Sequence, residues 1–142
     1  MAQSQSPTAL GYAEIATLVS AVTTAMAAGA SGMQSIVGLT GACTAAEAST
    51  FANPGGATKL AANGFTLVDA DTVVTSTTTV TNDTVELDHV FTASGTQSVS
   101  GFAVENDDDD VVLAECCFNA ALAMETSDTL TVELKLQFKL GS

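Results

Sequence analysis

From Thr129 to Leu140 the chain reads Thr-Leu-Thr-Val-Glu-Leu-Lys-Leu-Gln-Phe-Lys-Leu, apolar at every even position and polar at every odd one. A strand turns successive side chains to opposite faces, so this run fits a half-buried antiparallel strand and no face of a helix. The end of the chain is therefore predicted to lie in a β-sheet with one face on a core and the other in water.

The same logic extends backwards. Runs rich in Thr and Val are predicted as strands at Met33 to Leu39, Lys59 to Val68, Thr72 to Thr81, Thr84 to Thr92, Gln97 to Glu105 and Val111 to Phe118. Turn residues separate them at Asn53-Pro54-Gly55-Gly56, Asp69-Ala70-Asp71, Asn82-Asp83, Ser94-Gly95, Asn106 to Asp110 and Glu125 to Asp128. Val111 to Phe118 is apolar on both faces except for Glu115, which predicts a central strand or one covered by a partner. Short strands at regular spacing point to a mainly β fold, an antiparallel β-sandwich of jelly-roll-like character.

Before the strands the pattern changes. Ser6-Pro7 supplies an N-cap and a proline at the first helical position, and Ile15, Leu18, Val19, Val22 and Met26 recur at helical spacing. This predicts a helix from about Pro7 to Ala28, ending at Gly29. Its polar face carries Ala, Thr and Ser, which suits packing on the sheet or on another subunit. The expected organisation is thus an N-terminal extension and α-helix over residues 1–32, followed by a β-sandwich domain over 33–142. Thr44-Ala-Ala-Glu47 reads as a capping box opening a further short helix. No basic region precedes the apolar-leaning stretch from Tyr12 to Ala30, and polar residues interrupt it, so neither a signal peptide nor a membrane span is expected.

Charge narrows the function classes. Sixteen carboxylates face three lysines, Lys59, Lys135 and Lys139, without arginine, for a formal net charge of -13. Such a chain repels phosphate backbones, so no nucleic-acid partner is expected. The balance fits life in molar salt, where the screening length falls to about 3 Å and self-repulsion is muted. An ordinary acidic protein is the alternative. In the halophilic case, lowering the salt to about 0.1 M restores repulsion over about 10 Å and should loosen an oligomer.

Few residues offer chemistry. His89, the only histidine, shares a strand face with Val85, Leu87 and Phe91, while Glu86 and Asp88 point the other way. Local geometry therefore places no carboxylate beside it, and it reads as a partly buried histidine. The run Asp107, Asp108, Asp109 and Asp110 is the weak metal candidate, since Ca²⁺ and Mg²⁺ take oxygen ligands. Adjacent side chains in an extended loop diverge, so a hydrated hairpin tip is the simpler reading and no cofactor is expected. Asn82-Asp83-Thr84 matches a glycosylation sequon in a turn. Cys43, Cys116 and Cys117 do not make a disulfide framework and are expected as buried small hydrophobes without zinc spacing. The glycines form no phosphate-binding string, and the six phenylalanines read as core and inter-strand pairs.

From Met33 onward the chain resembles the small tail-fibre and head-decoration (turret) proteins of tailed viruses. The likeness runs through the Ala/Thr-rich turn of Ser35 to Thr50, the Thr-rich strand Thr77 to Thr81 and the turn Phe91-Thr-Ala-Ser-Gly95. It continues through Gly101-Phe102 and Leu113-Ala114 to the closing Asp128 to Val132. This resemblance implies a non-enzymatic virion structural protein, a homo-oligomer contacting the major capsid protein or other virion proteins, with no catalytic residues. The N-terminal helix departs from that pattern. Joined to the acidic composition, the likeness implies a virus of haloarchaea. A capsid-surface location is preferred to a tail because a chain without a long fibrous repeat suits a compact knob. Three- or fivefold symmetry would fit a capsid lattice. The alternative is a tail-fibre or tail-tip module gripping a host glycan, against which the lack of Trp and the single Tyr12 count. An enzyme is the third possibility, with little chemistry to draw on.

Overall fold

A computed structural model describes residues 34–46, 49–79, 81, 83–106 and 111–137. The expected helix over Pro7–Ala28, Asn82, the Asp107–Asp110 run and the chain beyond Gln137 lie outside these residues.

The described chain is mainly β. Eight strands follow in order: β1 (Ser35–Thr40), β2 (Thr58–Lys59), β3 (Val68–Asp69), β4 (Thr72–Ser76), β5 (Thr84–Thr92), β6 (Gln97–Asn106), β7 (Val111–Met124) and β8 (Thr129–Gln137). They form two antiparallel sheets. The larger runs β2-β1-β6-β7, with β3 also on β1, and the smaller runs β4-β5-β8.

The alternation at the end of the chain does what it should. β8 pairs with β5 in unbroken register from Thr84 opposite Gln137 to Thr92 opposite Thr129. Leu130, Val132, Leu134 and Leu136 then join Val85, Leu87 and Phe91 on the face that meets the larger sheet, which contributes Ile36, Val99, Phe102 and Val104. Phenylalanines build the centre: Phe65 stacks on Phe91 at 5.1 Å, Phe91 on Phe102 at 5.2 Å, and Phe118 meets Phe102 edge-on at 5.8 Å.

The expected strand over Lys59 to Val68 is instead two short strands flanking an inward loop. Asn63 and Gly64 have positive φ of 60° and 86°, the Asn-Gly turn chemistry that breaks a strand. The turn drives Phe65 into the core, fully buried, between the sheets. Gly38 of β1 makes room: its N–H donates to the Phe65 carbonyl at 3.0 Å, and a Cβ there would lie 2.9 Å from the Phe65 Cβ. Burying Phe65 outweighs the few ladder hydrogen bonds a continuous strand would add.

Two further expectations are corrected. The described residues of the segment after Thr44 are not helical; a single 3-10 turn at Pro54–Gly56 is formed instead. The Ala46 N–H and the Ser49 hydroxyl both donate to Glu115 of β7, which holds the segment against the sheet. Of the two alternatives for β7, a central strand or one covered by a partner, the first is wrong: β7 is an edge strand, pairing with β6 alone among the described strands. It is also longer than expected, with register irregularities opposite Val99/Gly101 and Val104/Glu105.

Candidate functional site

The two sheets treat their outer faces differently, and most polar side chains of interest sit on these faces. On the larger sheet, Val37, Leu39 and Ala103 form a second small core with Ala57. The segment between β1 and β2 covers it. A disulfide between Cys43 and Cys117 of β7 pins this cover across 74 residues of sequence. The expectation of three buried free thiols is therefore wrong. Adjacent strand residues face opposite ways, so Cys117 meets the cover while Cys116 turns to the inter-sheet side and is a free, exposed thiol. The pairing joins residues far apart in sequence, which spacing could not reveal.

Beneath the same cover Glu105 is completely buried and pairs with Lys59 Nζ at 2.7 Å, while the ammonium sits 3.2 Å from the centre of the Phe51 ring. A buried carboxylate needs this compensation, because an isolated charge in a dry environment is very costly. Glu115 accepts from Ala46 N–H at 2.6 Å and Ser49 Oγ at 2.7 Å, and Ser49 Oγ accepts from Gly55 N–H at 3.0 Å. These groups fasten the cover.

Asp83, nearly fully buried, plays a similar part at the β4–β5 connection. Its carboxylate accepts the N–H groups of Thr78 and Thr79 at 2.8 and 3.0 Å and the Gln137 amide at 3.0 Å, tying this turn to the end of β8. Thr84, the last residue of the sequon, is buried, and its hydroxyl bonds to Asp83. The carboxylate's role was not legible locally, since Asp83 reads only as a turn residue.

His89 lies where its strand face predicted, partly buried and edge-on to Phe91 at 4.4 Å. A carboxylate does reach it, from a different strand connection: Asp71 Oδ2 is 3.0 Å from Nδ1. The ring N–H does not line up for a hydrogen bond. The same Asp71 oxygen accepts the Val90 N–H at 3.2 Å. With Asp71 largely exposed, the pair is screened by solvent and staples the β3–β4 turn to β5. Among the described residues, no three His, Cys, Asp or Glu side chains group as a metal site would require.

The remaining feature is an apolar cleft along the side where β7 and β8 are both sheet edges. One part, of about 240 Å³, is lined by Phe102, Val104, Cys116, Leu134 and Leu136. An adjoining part of about 160 Å³ reaches Phe118, Leu130 and Val132. It explains why Leu130, Leu134 and Leu136 are only half-buried although they face the core. The smaller sheet's outer face is charged and wet. Lys135 contacts Glu133 at 2.7 Å and Glu86 at 3.7 Å, and these carboxylates, Glu133 first, raise its pKa above 10.5. No helix among the described residues is long and apolar enough to cross a membrane.

The arrangement fastens a cover and knots a turn. No known protein family, curated protein or solved structure matches the chain.

Proposed function

We propose that the chain is a non-enzymatic virion structural protein, a homo-oligomeric decoration or turret component on the capsid surface of a halophilic tailed virus. In this reading residues 1–32 anchor or pack the assembly, and a jelly-roll-like sandwich stands outward into brine. The observation that carries it is the Cys43–Cys117 bridge, which locks a surface cover onto a two-sheet body. Such cross-links persist in oxidising settings, virion surfaces among them, and are rare where thiols are kept reduced. The net charge of -13 supports the salt habitat. The carboxylates described above also favour a structural role, because Glu105, Glu115, Asp83 and Asp71 each hold one part of the fold to another.

The test is immunogold labelling of intact particles in molar salt, with the copy ratio to the major shell protein measured by quantitative mass spectrometry. Label over the head at a fixed ratio is the expected result. Label confined to the tail tip would favour the glycan-binding module instead, and absence from particles would end the virion reading.

A further inference from the structure

A body of two stacked sheets has flanks where the gap between them opens to water. On the β1 flank the loop between β2 and β3 drives Phe65 between the sheets and shuts the gap. On the flank between β7 and β8 no described residue does this. Leu130, Leu134 and Leu136 pack on the core there yet stay half-buried, and the Cys116 thiol is exposed. Together with Phe118 they line the two joined parts of the apolar cleft, about 240 and 160 Å³. A segment covering these side chains would remove their carbon from water, which is favourable.

We infer that the segment preceding β1 in this same chain fills the cleft, laying its apolar stripe of Ile15, Leu18, Val19, Val22 and Met26 along it as a helix. Connection and length select this occupant. Ser35 pairs with Glu105 and Glu105 with Val112, so β1 begins two strand spacings, about 10 Å, from the start of β7. Residues 29–33 reach up to about 17 Å when extended, and Gly29 and Gly32 suit the turn into the cleft. Along a helix, Ile15 to Met26 covers about 17 Å. Leu130 to Leu136 covers about 20 Å of β8, so stripe and cleft match in length. Met26 then lies at the Leu136 end, nearest the connection, and Ile15 at the Leu130 end. Charge agrees: as far as Met33 the one charged side chain is Glu14, which precedes the stripe, so no carboxylate is carried into the cleft. A tether this short holds the segment at an effective concentration of about millimolar, which favours it over the same segment of a second copy. The opposite face of the helix, with Thr17, Ser20 and Thr24, stays outward and free for assembly contacts, but none of this depends on the virion reading.

Cys116 is the reporter for the experiment. With Cys43 and Cys117 bridged it is the chain's one free thiol, and it lines both parts of the cleft. The measurement is the rate of maleimide labelling of the folded full chain in molar salt, over a dilution series, against the same chain unfolded in guanidinium. Wild type is expected to label about tenfold or more slowly than the unfolded chain, because access limits a thiol's reaction, and equally slowly at every dilution. L18E/V22E, which puts two carboxylates on the stripe, should bring the rate close to that of the unfolded chain. Thr24→Glu, on the outward face of the same helix, should leave the protection in place. Far-ultraviolet circular dichroism verifies that the sheets persist. Should L18E/V22E fail to fold, wild type alone decides: protection at every dilution upholds the inference, and labelling at the unfolded rate overturns it. Protection indifferent to L18E/V22E in the folded variant would also overturn it. So would protection lost on dilution, which would assign the cleft to the segment of a second copy. Particle labelling tests the virion reading separately, so either can fail without the other.

Discussion

Strands β1 and β6 of the larger sheet are dry on both faces, whereas the smaller sheet is dry on one and wet on the other. The difference lies in what each outer face asks of its surroundings. Glu86, Glu133 and Lys135 on the smaller sheet satisfy themselves with water and with each other. Val37, Leu39 and Ala103 on the larger sheet cannot, and they recruit the segment between β1 and β2 as a lid, which drags Glu105 into a dry environment and makes Lys59 necessary. An antiparallel sheet tolerates either outcome. Here, burying the second face came with a disulfide and a buried ion pair.

The comparison breaks most readily at the bridge. Replacing Cys43 and Cys117 by Ser releases a constraint over 74 residues, worth about 4 kcal/mol in the chain-entropy description. Urea unfolding should show that loss, and hydrogen exchange should rise first in the cover while β5 and β8 stay protected. Equal exchange gains in both sheets would mean that the cover is not a separate layer.

Lys59→Met should cost about 3 kcal/mol by taking the ammonium away from the buried Glu105 carboxylate. Adding Glu105→Leu should return most of that stability, because two apolar side chains suit the site better than a buried carboxylate that has lost its ammonium. A double variant no more stable than the single one would show that the pair is not a closed unit.

Gly38→Ala tests the inner face of the larger sheet. Its new Cβ would press on Phe65 at 2.9 Å, and overpacking of this kind costs about 2 kcal/mol. Thermal unfolding is the measurement, and Leu60→Ala, which removes the Cδ1 lying 3.1 Å from the new Cβ, should partly relieve the clash.

The smallest effects belong to the smaller sheet's wet face. Val74→Thr should change stability by less than about 0.5 kcal/mol. The carboxylates around Lys135 raise its pKa in the fold, so their contribution is complete below the ordinary value of 10.5 and disappears only as pH rises through the higher folded value. Because the side chain is exposed, the alkaline change should be slight and should shrink further in molar salt. A large pH effect between 7 and 9 that vanishes in Lys135→Met would contradict this.

Much of the fold was legible from period and punctuation. β5 occupies the expected Thr84–Thr92, and β8 follows the alternation of its sequence. Misreadings fell where long-range contacts overrode local pattern. Asn63-Gly64 carried a turn signal inside a presumed strand, and the core's need for Phe65 made that turn decisive. Thr44 looked like a cap until Glu115, from a strand distant in sequence, claimed the N–H of Ala46. Of the candidate sites, His89 was placed on the correct face, but its Asp71 partner arrives from another connection and could not be read from the spacing along β5.

By itself the sequence determined that strands with one apolar face would pair antiparallel, because alternation leaves them no other way to keep carbon from water. It also determined an acidic exterior, since sixteen carboxylates cannot all be buried. Only the tertiary structure decided which cysteines would join, which lysine would neutralise Glu105, and that β7 would lie at an edge. Those outcomes depend on distances between residues remote along the chain, and such distances exist only after the sheets have packed.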